Sequence, residues 1–232
     1  MHYELIIGTR NWSSWSLRAW LAVKAAGVPF EEIVLPLRQA GSAALIEAQS
    51  PSARVPVLRM GEDKKGGAAT VVFDSLAIAE TIAERHPDAG LWPEDSTQRA
   101  VARSYAAEMH AGFLALREAL PMDFARTLPP PSLDREVEGQ IARIIAAWQS
   151  ALSRHGGEGG FLFGRFSIAD CMYAPVVSRF VTYDIQLPHD AQKYADRMMT
   201  LPAMQEWRAA AENEIANGLP DQWQVEMVRN AR

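Results

Sequence analysis

The chain has 232 residues, of which 48% are hydrophobic and 22% charged. A chain of this length can bury roughly 70% of its unfolded surface, which excludes disorder as the main state and fits one large domain or two small ones. Lys and Arg total 23 against 28 Asp and Glu, a formal charge of −5, and no run of five like charges occurs. No nucleic acid is therefore expected as partner.

The single cysteine, Cys171, cannot form an internal disulfide, and neither a CxxC pair nor a Cys/His set with zinc spacing is present. No metal is expected. The opening Met1-His2-Tyr3-Glu4-Leu5 lacks the cationic start and long apolar run of a signal peptide. No apolar stretch approaches the roughly 18 residues that suggest a membrane span, so no membrane is expected and a cytoplasmic location is.

In chain order, Tyr3 to Ile7 reads as a strand closed by Gly8. Serines at 13, 14 and 16 precede a helical run from Leu17 to Ala26, stopped by Gly27 and Pro29. Phe30 to Leu35 is a second strand, giving a βαβ opening with parallel strands. A weaker helix covers Ser42 to Gln49. Val55 to Met60 and Thr70 to Phe73 form an antiparallel hairpin across the Gly- and Lys-rich connection from Gly61 to Ala69. Asp74-Ser75 begins a helix through Arg85, with Leu76, Ile78, Ala79, Ile82 and Ala83 at helical spacing.

Beyond His86 the texture changes. Pro87, Gly90 and Pro93 mark a linker, and helices are expected over Ser96–Leu120, Leu133–Arg154, Ser167–Tyr183, Ala191–Met199 and Pro202–Ile215. The division is an α/β unit of order βαβαββα over 1–85, a linker over 86–95 and an all-α bundle over 96–232. Ser167 and Asp170 read as a helix-capping pair rather than catalysts, and Cys171 as a core residue. The segment 222–232, with Trp223 and Met227, is expected to cover the cleft or a neighbouring subunit.

Three segments carry possible chemistry. Ser13 and Ser14 stand where the first strand ends and the first helix begins, where free N–H groups and the positive dipole end favour an anion; plain capping is the alternative. Val55-Pro56 opens a strand with a residue that cannot donate to the ladder. A cis bond there would offer the Val55 backbone to an extended ligand, whereas a trans proline on an edge strand would carry no function. Ser75 can cap its helix or grip a carboxylate, and Asp74 can hold an ammonium group. Trp12 and Trp15 either wall an apolar substrate site or fill an interface. Tyr105, Met109 and His110 lie at helical spacing on the next helix and face either that cleft or the core.

Together these segments resemble the glutathione S-transferase family, in which a thioredoxin-like N-terminal domain precedes an all-helical domain. Ser13-Ser14-Trp15-Ser16-Leu17-Arg18 is similar to the zeta-class pattern Ser-Ser-Cys-x-x-Arg. Ser50-Pro51 through Val55-Pro56-Val57-Leu58 is similar to the family's segment with a cis proline, and Asp74-Ser75-Leu76-Ala77-Ile78 to its Glu/Gln-Ser-x-Ala-Ile motif. Ser167 to Asp170 resembles its capping box. The resemblance implies glutathione as co-substrate and a homodimer. It implies that Ser13, or Ser14 beside it, favours the thiolate; that Val55 pairs with the cysteinyl backbone; that Asp74 and Ser75 bind the γ-glutamyl group; and that Arg54 reaches a glutathione carboxylate. The implied activity is transfer of the thiolate to a small electrophile, in the manner of a detoxification enzyme. Alternatives are a zeta-like cis–trans isomerase of the maleylacetoacetate type, for whose dicarboxylate Arg18 and Arg117 are candidates, and a glutathione-binding protein without turnover. Trp15 replaces the zeta-class cysteine, which leaves isomerase chemistry to serine alone.

Overall fold

The structure is a computed structural model that describes residues 2–61 and 69–220. The expected tail segment 222–232 and most of the connection after β3 lie outside the described residues. The first elements are β1 (His2–Gly8), α1 (Ser14–Ala25), β2 (Glu31–Leu35), α2 (Ser42–Gln49), β3 (Val57–Gly61), β4 (Thr70–Phe73) and α3 (Ser75–Arg85). The sheet runs β2-β1-β3-β4, with β1 and β2 parallel and the other pairs antiparallel.

The apolar run of β1 explains its central place. Ile6 points to one face, against Leu35 and Val57, while Leu5 and Ile7 point to the other, under α1 and α3. A strand covered on both faces needs such a continuous run rather than alternation. β3 begins at Val57, two residues later than the sequence suggests; Pro56 has no N–H to give to the ladder.

A 3₁₀ turn at Pro87–Ala89 leads to the helical region: α4 (Ser96–Ala111), α5 (Leu114–Ala119), α6 (Arg135–His155), α7 (Ile168–Thr182), α8 (His189–Thr200) and α9 (Pro202–Ala216). The single helix expected over Ser96–Leu120 is thus two. Phe113 adopts φ of 62° between them. The break is held by Arg117, whose Nε donates to the Gly112 carbonyl at 3.1 Å and whose Nη2 donates to the carbonyls of Met109 and His110. A cation at the carbonyl end of a helix satisfies orphan acceptors and matches the dipole. Helical periodicity cannot reveal that interruption, because Leu116 and Leu120 remain in the buried pattern on its far side.

α1 joins the two regions. It packs against α3 on one side and against α7 and α9 on the other, and it is buried from Leu17 through Val23. Cys171, on α7, is fully buried, and burial pushes its thiol well above the ordinary value. The Ser167–Asp170 pair anchors α7: Asp170 Oδ2 accepts from the Ser167 N–H and hydroxyl, both at 2.9 Å, and Oδ1 accepts from the Leu162 N–H and the Tyr194 hydroxyl. Burial nevertheless raises this carboxyl to about 6, against the pull of those four bonds. Asp170→Ala would leave buried donors without acceptors, at roughly 1–3 kcal/mol for each group stranded. The variant should unfold at distinctly lower urea concentration than wild type while Ser167→Ala, which keeps the backbone donor, loses less.

Candidate active site

The loop between β1 and α1 is fixed from the helical region. The Asn11 side chain donates through Nδ2 to Asp123 and accepts the Ala125 N–H at 2.9 Å, and its carbonyl accepts the Phe124 N–H at 3.0 Å. The N–H groups of Arg10 and Asn11 donate to the two carboxylate oxygens of Glu214 on α9, at 2.8 and 2.9 Å, and Trp207 Nε1 donates to the Arg10 carbonyl. Burial raises the Glu214 carboxyl while these N–H bonds pull it back.

Held in this way, the loop delivers Ser13 as the N-cap of α1. Its Oγ accepts the Ser16 N–H at 3.4 Å and donates to Ser16 Oγ at 2.7 Å; Ser16 Oγ also accepts the Gly8 N–H. Ser14 follows in the first turn, and its hydroxyl has no partner among the described residues. Ser13 and Ser14 are only 5% and 7% exposed, yet both line a cavity of about 410 Å³. Trp12, Trp15, Arg54 and Val55 line it as well.

A second cavity, of about 370 Å³, shares Trp15, Arg54 and Val55 and adds Pro56, Asp74, Ser75 and His110. The Val55-Pro56 bond is cis. The cap of α3 is Asp74 and not Ser75: Asp74 Oδ1 accepts the Leu76 N–H at 2.9 Å and the Ala77 N–H at 3.4 Å. Ser75 occupies the next position, and its Oγ is buried with no protein partner. The structure therefore brings both serines, Trp12, Trp15, Arg54, Val55, Pro56, Asp74, Ser75 and His110 to two neighbouring cavities with three lining residues in common. Tyr105 instead packs edge-on against Phe163, and Met109 is fully buried in the core; neither lines these cavities. A larger cavity, about 770 Å³, lies along α3, the linker and α4 and contains none of the serines.

Trp15 is the pivot of the site. Its ring, 36% exposed, carries the Arg18 guanidinium at 4.5 Å from its centroid and that of Arg117 at 4.8 Å, and meets His110 edge-on at 5.2 Å. His110 Nε2 stands 3.3 Å from Asp74 Oδ2, a contact between the helical region and the sheet region. Burial lowers the pKa of His110; Asp74 opposes this, and Arg18 and Arg117 reinforce it. Arg117 and Arg179 complete the wall of the first cavity beside Pro121 and Met122. Arg179 has a signal in the sequence, as the lone charge between Cys171 and Tyr183. The clasp partners Asp123 and Glu214 have none, because they meet Asn11 only through the fold. Among the described residues no group of three His, Cys, Asp or Glu side chains could hold a metal, and no helix is long and apolar enough to cross a membrane.

Comparison with known proteins defines the family. Residues 12–85 match the family model for the glutathione S-transferase N-terminal domain, and residues 100–210 match that for its C-terminal domain. The chain belongs to the glutathione S-transferase family. It is 31% identical over 179 residues to a probable maleylacetoacetate isomerase of Caenorhabditis elegans, covering 77% of this chain and 78% of that one. A maleylacetoacetate isomerase from Anaeromyxobacter dehalogenans, solved with glutathione in its active site, is 28% identical with a TM-score of 0.63, covering 89% and 94% of the two chains. A glutathione transferase homologue from Burkholderia, solved with bound glutathione, shares the fold at 24% identity and a TM-score of 0.67, covering 92% and 99%.

The His110 shift sets a pH signature. Because its folded pKa lies below the ordinary 6.5, the unfolded chain takes up the proton first as pH falls. Stability from this group is complete above about 6.5 and declines as pH drops below it. The fall in melting temperature between pH 7 and 5 should be smaller in His110→Gln than in wild type, measured by calorimetry in one buffer series.

Proposed function

We propose that the protein is a glutathione-dependent transferase that joins the glutathione thiolate to a small electrophilic molecule. The observation that carries this reading is the pair Ser13 and Ser14 at the N-terminal end of α1, lining a cavity with Val55, beside a second cavity that Val55 also lines with Asp74 and Ser75. Glutathione fits the polar groups available: the unpartnered Ser75 Oγ suits the γ-glutamyl carboxylate, Asp74 Oδ2 suits its ammonium group, and Arg54 suits the glycyl carboxylate. In this reading residues 1–85 form the glutathione-binding unit, 86–95 the linker and 96–232 the unit that completes the acceptor pocket, in a cytoplasmic homodimer.

Ser13 and Ser14 hold the sulfur. Ser14 has a hydroxyl ready to donate. Ser13 donates once its proton turns away from Ser16 Oγ, which can return the bond by donating its own proton. Two hydroxyl donors and the positive end of α1 favour the thiolate, the reactive form. With an alkene acceptor, the sulfur electron pair forms the C–S bond, the π pair moves to the adjacent carbon, and a proton from water completes the addition. The 31% identity to a probable maleylacetoacetate isomerase supports a second reading in which the carbanion, before any proton is added, rotates about the former double bond, returns its electron pair to re-form the π bond and expels the thiolate, leaving the isomerised alkene.

The test is calorimetric titration with glutathione, with thiolate absorbance followed against pH. Wild type should bind and lower the thiol pKa. Ser13→Ala/Ser14→Ala should bind with the thiol near its free value, and Asp74→Asn should bind about tenfold more weakly, the size expected for losing one charged hydrogen bond. Binding without any change in thiol ionisation would leave a glutathione-binding protein without turnover. No binding at millimolar glutathione would end both readings.

A further inference from the structure

His110 and Asp74 meet where the helical region touches the sheet region. His110 lies in the last turn of α4 and Asp74 caps α3, with Nε2 of the one 3.3 Å from Oδ2 of the other. Both line the second cavity, together with Arg54, Val55 and Ser75. Asp74 spends Oδ1 on the N–H groups of Leu76 and Ala77, so Oδ2 is the oxygen it can offer to a ligand. A cation that enters beside Ser75 must share that oxygen with His110.

The surroundings of His110 decide which form of the ring does the sharing. Trp15 meets it edge-on at 5.2 Å and fixes its place. The charged groups that face it are Asp74 from the head of α3, Arg18 from α1 and Arg117 from α5, and Arg54 lines the same cavity from the loop before β3. Burial, reinforced by Arg18 and Arg117, outweighs Asp74 and holds the imidazole pKa below its ordinary value. Nδ1 is buried with no protein partner. In the neutral ring with its proton on Nε2, that atom carries only a lone pair, whereas the charged ring would bury an N–H with no acceptor. The ring is therefore uncharged at neutral pH, and a neutral N–H can share Oδ2, which has lone pairs for two donors. An imidazolium in the same place would set two cations against one carboxylate oxygen.

We infer that His110 is a further, proton-linked residue of the glutathione site: uncharged, it leaves Asp74 to hold the γ-glutamyl ammonium group, and charged, it competes with that group for Oδ2. This rests on the transferase reading above and deepens it, giving the site an acid limit carried by one side chain of the helical region. The linkage is reciprocal. A bound ammonium group weakens proton binding at His110 by the same factor as the proton weakens the ligand, so binding in acid expels a fraction of a proton.

S-methylglutathione is the probe, because the methyl group removes thiol ionisation, and its carboxylates and amino group stay charged between pH 5 and 7. Titrated calorimetrically into wild type, it should bind weaker by about twofold or more at pH 5 than at pH 7, and in His110→Gln the change should stay below twofold. Heats at pH 5.5 in two buffers of different ionisation enthalpy should show proton release in wild type. Asp170 and Glu214, whose carboxyls are also raised, line neither cavity and are common to both proteins, so they cancel in the comparison. A wild-type change below twofold, or one of twofold or more that persists in a folded His110→Gln, overturns the role of His110 and leaves the transferase reading standing. Binding that releases no proton, or takes one up, overturns it as well. Failure of glutathione and S-methylglutathione to bind at pH 7 overturns the transferase reading together with it. The proton count uses unaltered protein and stands even where the variant does not fold.

Discussion

The site depends on one small clasp, the carboxamide of Asn11 bound to Asp123 and to the Ala125 N–H, with Glu214 gathering the two neighbouring backbone N–H groups. These bonds cross from the end of the first strand to two separate segments of the helical region. They are buried or partly buried, where leaving a polar group unpaired costs more than the bond gains. The clasp therefore acts as a requirement on relative placement: if the helical region moves, its four hydrogen bonds are lost together. Two residues beyond the clasp the chain turns into α1, so the position of Ser13 and Ser14 follows from contacts made more than a hundred residues away.

α1 carries the same logic from its other end. Because it is enclosed by α3, α7 and α9 it must be apolar nearly all round, and Leu17, Ala19 to Val23 meet that demand. Arg18 violates it. A guanidinium is tolerated there because Trp15, one turn earlier, offers the face of its ring, and a cation over an aromatic face recovers part of the lost hydration. The usual remedy, a carboxylate close enough to accept hydrogen bonds from it, is missing. Asp74 raises the Arg18 pKa only as a minor influence beside burial, Arg117 and Arg179. A local break with the burial rule directly behind Trp15, which lines both cavities, is the kind of conflict between folding and chemistry that marks a working surface.

Much of this was legible in the sequence, and the boundary of legibility has a physical cause. The sheet was readable because its strands are short β-rich runs between turn residues, and α3 because its apolar positions repeat at helical spacing. The polar ends of elements were readable for a related reason: Ser13, Asp74 and Ser75 sit where a cap or an anion site must be, and local geometry decides both. Which of Asp74 and Ser75 caps the helix was not readable, since either can accept from the first-turn N–H groups. Tertiary meetings were beyond reach. Tyr105, Met109 and His110 share a helix and a plausible stripe, yet only His110 reaches the cavity, because the break after Ala111 and the packing of α4 on α7 decide which residues face inward. Arg117 could be named but not aimed; its direction is set by the three carbonyls at the end of α4.

Trp15 shows how a single exchange can redirect a shared scaffold. In the zeta-class pattern this chain resembles, a cysteine stands at that place, a small side chain with its own nucleophile. An indole has no comparable nucleophile, but its two faces attract cations, and here both Arg18 and Arg117 stack on it. The exchange removes one route to covalent chemistry and at the same time sets two guanidinium groups on one ring. Positive charge then gathers beside the serines, where an activated sulfur would also lie.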